Sequence, residues 1–249
     1  MKYSNLNKIL ASLLITSSLT TTSVLADAAP DGSNDLGVAF AGIEGRANLR
    51  YGYAGTVISV DGHDLGSSGW IVKAIVGYGE YKYNQSSAKK GYVDGKITNA
   101  EIELGHEFRT GDGHLFSVLV GPDYQRNKLS PKDATNKSGG DKWGAQIGFE
   151  FITDPSKFLN VEFDASVSTA NRNYNTRLRP GVKWGMVRLG PEASFSGSRS
   201  HNEQRGGLFA TAQFDGWSAS LHGGLSSHRG SNGGRNTDPY IGGSFGLMY

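Results

Sequence analysis

The stretch that decides the fold is the last one, Tyr240-Ile241-Gly242-Gly243-Ser244-Phe245-Gly246-Leu247-Met248-Tyr249. Side chains of an extended strand point to opposite faces with a period of two. Ile241, Gly243, Phe245, Leu247 and Tyr249 therefore share one face, and Gly242, Ser244 and Gly246 the other. An apolar, aromatic-ended face backed by small polar residues fits a strand with lipid on one side and a polar lumen on the other.

The opposite end of the sequence agrees. Lys2 and Lys8 are followed by an apolar run from Ile9 to Leu19, then by Val24-Leu25-Ala26 before Asp27. This is the layout of a cleaved signal peptide over residues 1–26, and it implies Sec export. A polar leader over residues 27–36 follows. No later apolar stretch approaches the ~20 residues of a spanning helix, so residues 37–249 cross a membrane only as a barrel.

Composition narrows the function. The absence of Cys excludes a disulfide scaffold and thiolate chemistry. A net charge of +2 with dispersed Lys and Arg excludes a nucleic-acid stripe. The 36 Gly and 11 Tyr point to strands and aromatic belts.

Period-two runs predict twelve strands, near 37–49, 51–60, 69–83, 92–109, 113–126, 142–153, 157–169, 173–184, 186–198, 206–215, 217–227 and 238–249. Tight turns at Thr110–Gly113, Thr153–Ser156, Gly185 and Asp215-Gly216 alternate with polar segments at 84–91, 127–141, 199–205 and 228–237. The expectation is an all-β protein, a single up-and-down antiparallel transmembrane barrel of the Gram-negative outer membrane. The first connection, at Arg50, is short for an outer loop, and 61–68 is long for a periplasmic turn.

Parity sends Ile102, Leu104, Ile147, Phe149, Val161 and Phe163 to lipid, and Glu101, Glu103, Glu162, Asp164, Arg177, Arg179, Arg188 and Glu192 to the lumen. Acids collect on the strands from 92 to 169, and Arg177, Arg179, Lys183 and Arg188 on the next two. Two arrangements follow from this. Opposed charges across a water-filled pore would orient solutes, whereas Glu162 and Asp164 paired with Arg177 and Arg179 would fill a narrow barrel.

Tyr51, Tyr53, Tyr81, Tyr83, Tyr124, Trp143, Trp184 and Trp217 lie near strand ends and are expected in the interfacial belts. Tyr124 and Tyr174 adjoin long loops and are the candidates for a sugar track, since aromatic faces pack on pyranose rings. No pair of the six His has metal-ligand spacing. Neither a metal nor another cofactor is expected. Ser200-His201-Asn202 and Ser227-His228 are the neighbours an outer-membrane lipid-modifying enzyme would use. Polar loops produce such pairs by chance, and the expectation is a non-enzyme.

Blocks in order along the chain carry a family resemblance: Leu129-Ser130-Pro131-Lys132-Asp133, Lys142-Trp143-Gly144-Ala145, Arg177-Leu178-Arg179-Pro180-Gly181, Leu189-Gly190-Pro191-Glu192-Ala193 and Arg205-Gly206-Gly207-Leu208-Phe209. From Tyr51 onward the sequence resembles the cellulose biosynthesis protein BcsS family, departing at Asn175 and over 198–204. The resemblance implies an outer-membrane protein serving cellulose or related exopolysaccharide production, hence biofilm, with β-glucan and other export components as partners beside outer-membrane lipid. It brings no catalytic residues. A narrow channel for oligosaccharides or small solutes is the other function open to such a barrel.

Overall fold

A computed structural model describes residues 35–84, 91–133, 136–199, 201–230 and 235–249. The expected signal peptide and most of the leader lie outside the described residues. Twelve strands follow one another: β1 (Gly37–Arg46), β2 (Leu49–Ser59), β3 (Gly69–Asn84), β4 (Tyr92–Arg109), β5 (Leu115–Ser130), β6 (Gly140–Ile152), β7 (Leu159–Ser168), β8 (Asn173–Trp184), β9 (Val187–Gly197), β10 (His201–Phe214), β11 (Trp217–Gly230) and β12 (Arg235–Met248). Each pairs antiparallel with its sequence neighbours, and β1 closes on β12 from Val38 opposite Met248 to Arg46 opposite Tyr240. Closure removes the free edges that would otherwise template further pairing. We call the end where β1 begins and β12 finishes the terminal rim, and the other the far rim.

The alternation read from the sequence sets the wall. Ile102, Ile147, Leu208, Leu221 and Ile241 point outward and are exposed, while Asn99, Glu101, Glu103, Gln146 and Glu162 point inward and are buried. Aromatics bound the apolar band at two levels, with Tyr78, Tyr124, Trp143 and Tyr174 on the far side and Trp70, Phe116, Trp184 and Trp217 on the terminal side. Phe116 and Tyr124 are eight residues apart in β5, and Tyr174 and Trp184 ten apart in β8. At ~3.3 Å per residue and a tilt of ~40°, the band is about 20–25 Å tall, the thickness of a bilayer's hydrocarbon as barrels span it.

Many glycines are seats for rings on the next strand. A Cβ at Gly77 would lie 1.8 Å from the Tyr51 hydroxyl, and one at Gly95 would lie 2.1 Å from Cζ of Tyr81. Only a residue without a side chain lets those rings lie flat on the wall.

Differences from the expected spans have one cause. β5 runs to Ser130, β6 starts at Gly140, β10 at His201 and β12 at Arg235, so polar residues expected in loops continue the sheet above the apolar band. Strand pairing there needs no hydrophobic alternation. The first turn is Ala47-Asn48 rather than Arg50.

The long 60–68 connection turns into the barrel instead of outward. Leu65 joins Val38, Phe40, Val57, Ile71, Ile75 and Met248 in an apolar cluster at the terminal end. A second cluster, with Leu49, Tyr51, Tyr81, Tyr83, Val93 and Ile97, fills the far end of the β2–β4 wall.

Candidate functional site

The lumen is built from inward positions of consecutive strands, so register alone brings opposite charges together. Glu162 and Asp164 on β7 stand opposite Arg179 and Arg177 on β8. Arg177 donates from Nη2 to Glu162 Oε1 at 3.1 Å and from Nε to Asp164 Oδ2 at 3.0 Å. Arg188, from β9, donates to Glu162 Oε2 at 2.8 Å and to the Arg179 carbonyl at 2.8 Å. Arg179 pairs with Glu192, which also accepts the Tyr240 hydroxyl at 3.0 Å. The guanidinium carbons of Arg179 and Arg188 lie 5.2 and 4.7 Å from the Phe209 ring centroid, within cation–π range.

Glu101 and Glu103 sit in a neighbouring cluster. Gln146 Nε2 donates to Glu101 Oε2 at 2.7 Å and to Glu103 Oε1 at 3.2 Å. Lys73 Nζ lies 2.8 Å from Glu150 Oε1 and 3.7 Å from Glu103 Oε2. A third cluster joins Arg46 to Glu203 at 3.2 Å and Arg205 to Glu44 at 2.6 Å and Glu203 at 2.7 Å. The opposed-charge arrangement is therefore replaced by local pairing.

Eight of the ten sequence candidates, all the charged ones, face this lumen. Tyr124 and Tyr174 do not. Their neighbours Asp123 and Gln125, Asn173 and Asn175 are buried inside, so parity turns both rings outward. Tyr124 lies 4.7 Å from the Trp143 ring and donates to Asp141 at 2.8 Å; Tyr174 donates to Asn202 at 3.0 Å. As candidates for lumen contact these two rings are thus corrected: both lie on the outer wall, in the far aromatic belt.

The reverse correction applies to Tyr51, Tyr53, Tyr81 and Tyr83, expected in the belts but packed inside, where Tyr81 donates to Asn127 at 2.7 Å and Tyr83 to Asp133 at 2.8 Å. Their signal was available: Tyr51 shares parity with Leu49 and Val57, and Tyr81 with Ile71 and Ile75. Glu203 and Arg205 were hidden because 199–205 has no apolar alternation to extend.

Among the described residues the middle of the lumen is filled. Glu103, Glu162 and Arg179 expose 1%, 0% and 2% of their surface, whereas groups lining a water-filled pore would be wetted. A polar cavity of about 10 Å³ between Glu101, Asp123, Gln146 and Asn173 has room for at most roughly one water. At the terminal end the 60–68 segment is tied in by Leu65 N to the Asp35 carbonyl at 2.9 Å, Gly66 N to Glu107 at 3.2 Å and Arg109 to the Gly66 carbonyl at 3.0 Å. At the far end Asn136 donates to the Tyr83 hydroxyl at 3.3 Å, which places Asn136 against the tyrosine cluster.

The Ser/His neighbours are accounted for in part. His201 and His228 are buried beside Glu203 and Arg46, and Ser200 lies outside the described residues. A further Ser-His-Asp grouping, Ser59, His63 and Asp61, brings serine and aspartate to the same ring nitrogen, Nδ1, while Nε2 faces Glu107 at 3.5 Å. In this grouping Asp61, outside the strands, is held well below the usual carboxylate range by the Trp70 backbone N–H and by His63.

A closed twelve-stranded cylinder with an apolar outer band between aromatic belts and an ion-paired interior is an outer-membrane-type β-barrel. Comparison with known proteins agrees and goes further. The chain belongs to the cellulose biosynthesis protein BcsS family, whose profile matches residues 38–247. That membership gives it a role in cellulose biosynthesis.

Among solved structures, the translocator domain of the autotransporter NalP from Neisseria meningitidis is 13% identical with a TM-score of 0.50, over 91% of this chain and 93% of that one. The KdgM porin is 9% identical with a TM-score of 0.45 over 85% and 99%. The transport unit of the autotransporter AIDA-I from Escherichia coli is 11% identical with a TM-score of 0.42 over 92% and 96%. Comparison with curated protein sequences finds no significant match.

Proposed function

We propose that this protein is a non-enzymatic, non-conducting barrel of the outer membrane that supports cellulose production from its rims rather than through its lumen. The observation that carries this reading is the burial of Glu103, Glu162 and Arg179 in mid-barrel, where a conduit would need water. In the membrane the terminal rim faces the periplasm and the far rim the exterior. The segment Leu129–Asp133 closes β5 at that outer rim and is where β-glucan or an export component would engage. The lumenal set Glu101, Glu103, Glu162, Asp164, Arg177, Arg179, Arg188 and Glu192 then acts as internal scaffolding and contacts no polymer.

Planar-bilayer recording of the refolded barrel tests this. No conductance steps are expected from the wild type; stable steps whose ion selectivity changes in Arg177→Ala with Arg179→Ala would sink the reading. Deletion in a producing cell is expected to abolish cellulose deposition while leaving glucan synthesis by the inner-membrane synthase intact.

A further inference from the structure

Above the far aromatic belt the outer face of β3–β6 changes abruptly from apolar to charged. On β5 the outward order is Val120, Pro122, Tyr124, Arg126, Lys128, and on β4 it is Leu104, Ile102, Ala100, Thr98, Lys96. Three acids of this level each meet one cation: Glu80 with Lys96 at 3.1 Å, Asp94 with Lys82 at 3.5 Å and Asp141 with Arg126 at 3.4 Å. Lys128 is the cation left over, exposed and without a carboxylate partner among the described residues.

Register makes that surplus informative, because Lys128 stands directly opposite Lys96 across the β4–β5 pair. Like charges directly opposite destabilise a sheet; Glu80 offsets Lys96 alone, and an anion between the two lysines would satisfy Lys128 as well. Both lysines line a groove of about 740 Å³ with Arg126, Lys132, Asp94, Asp133 and Asp141. The groove runs from the outer face of β4 and β5 to the rim, beginning one residue pair above Tyr124 and Trp143, which mark the headgroup level.

We propose that Lys96 and Lys128, with Arg126 beside them, bind the phosphate of an outer-leaflet lipid headgroup. A molecule anchored in the adjacent leaflet carries its phosphate at this height and on this side of the wall. Arg126 adds a fork of donors to the two point charges, and its partner Asp141 is a solvent-exposed carboxylate that screens little of them. The proposal rests on the far rim facing the outer leaflet. It does not depend on whether the lumen conducts.

The test uses the refolded barrel in detergent with three probes: diphosphoryl lipid A, the same lipid stripped of phosphate, and inorganic phosphate. Wild type is expected to prefer the diphosphoryl lipid. Lys96→Ala with Lys128→Ala is expected to weaken that binding about 10- to 30-fold and to leave the stripped lipid unaffected. Equal binding of the two lipids, an unchanged double variant, or inorganic phosphate competing as well as the lipid would overturn the proposal. Lys128→Gln, a surface change that keeps the fold, is read alongside by its gel shift on heating, and it is expected to lose part of the same preference. Bilayer silence is recorded on the same preparations: conductance would count against the closed barrel alone, and loss of lipid preference against this site alone.

Discussion

Replacing Glu162 by glutamine keeps the shape of the side chain and removes the charge on which three arginines converge. Its carboxylate accepts from Arg177 at 3.1 Å and Arg188 at 2.8 Å, with Arg179 Nη1 a further 3.9 Å away, and it has no exposed surface. Each hydrogen bond to a charged group contributes roughly 1.5–3 kcal/mol. The glutamine oxygen retains one of the two in weaker form, while its amide nitrogen faces a guanidinium, donor against donor. Breaking a buried pair by removing one partner costs about 3–5 kcal/mol, and the two estimates agree. Urea unfolding of the refolded barrel in micelles, followed by the fluorescence of Trp70, Trp143, Trp184 and Trp217, should show that loss. As a comparison, Glu80→Gln at the half-exposed Glu80–Lys96 pair should leave the unfolding midpoint almost unmoved. A loss below about 1 kcal/mol for Glu162→Gln as well would refute the view that the lumen is held by these ions.

Three other outcomes are expected. Gly95→Ala places a Cβ 2.1 Å from the Tyr81 ring, displacing it from Asn127, and should cost about 1–3 kcal/mol in the same unfolding assay; an unmoved midpoint would show that the ring has another seat. Leu65→Ala empties part of the terminal apolar cluster and should raise amide exchange of residues 60–68 well before global unfolding, whereas uniform exchange would mean that the segment is not a separate plug. The Asp61 carboxyl lies below its ordinary value of 3.8 when the segment is docked, so its contribution is complete above that pH and disappears as pH falls further. Trp70 fluorescence should report loosening only below about pH 4, and Asp61→Asn should abolish that acid step.

Legibility followed the physics of each region. Wherever one face meets lipid, as in β4, β6 and β12, alternation set parity, and parity set both the outward apolar set and the inward Glu101, Glu162 and Arg179. The strand count and the closure of β12 on β1 could be read for the same reason. Above the aromatic belt both faces are polar, so β5 beyond Arg126 and β10 before Gly206 carried no period, and Glu203 and Arg205 were lost to an expected loop. The tyrosines failed differently. Residue type alone suggests a belt for Tyr51, Tyr81 and Tyr124 alike, and only parity, shared with Leu49 and Ile71 for the first two and opposite to Asp123 for the third, separates two interior rings from one exterior one. The inward fold of residues 60–68 has no sequence period at all; it depends on Leu65 finding the cluster around Val57 and Ile71 and on hydrogen bonds to Asp35, Glu107 and Arg109.

The filling of the mid-lumen divides the ions of the described residues into two populations. Salt reaches the pairs on the outer wall, Lys82 with Asp94, Lys96 with Glu80 and Arg126 with Asp141, all of them about half exposed. At physiological ionic strength the screening length is about 8 Å, so these pairs weaken as salt rises. The Glu162 and Glu203 carboxylates and their partners Arg188 and Arg46 are almost wholly withdrawn from solvent, so salt screens those pairs far less. The barrel wall should therefore stay equally stable in brackish and dilute water, while its outer face changes its electrostatic character with the medium around the cell.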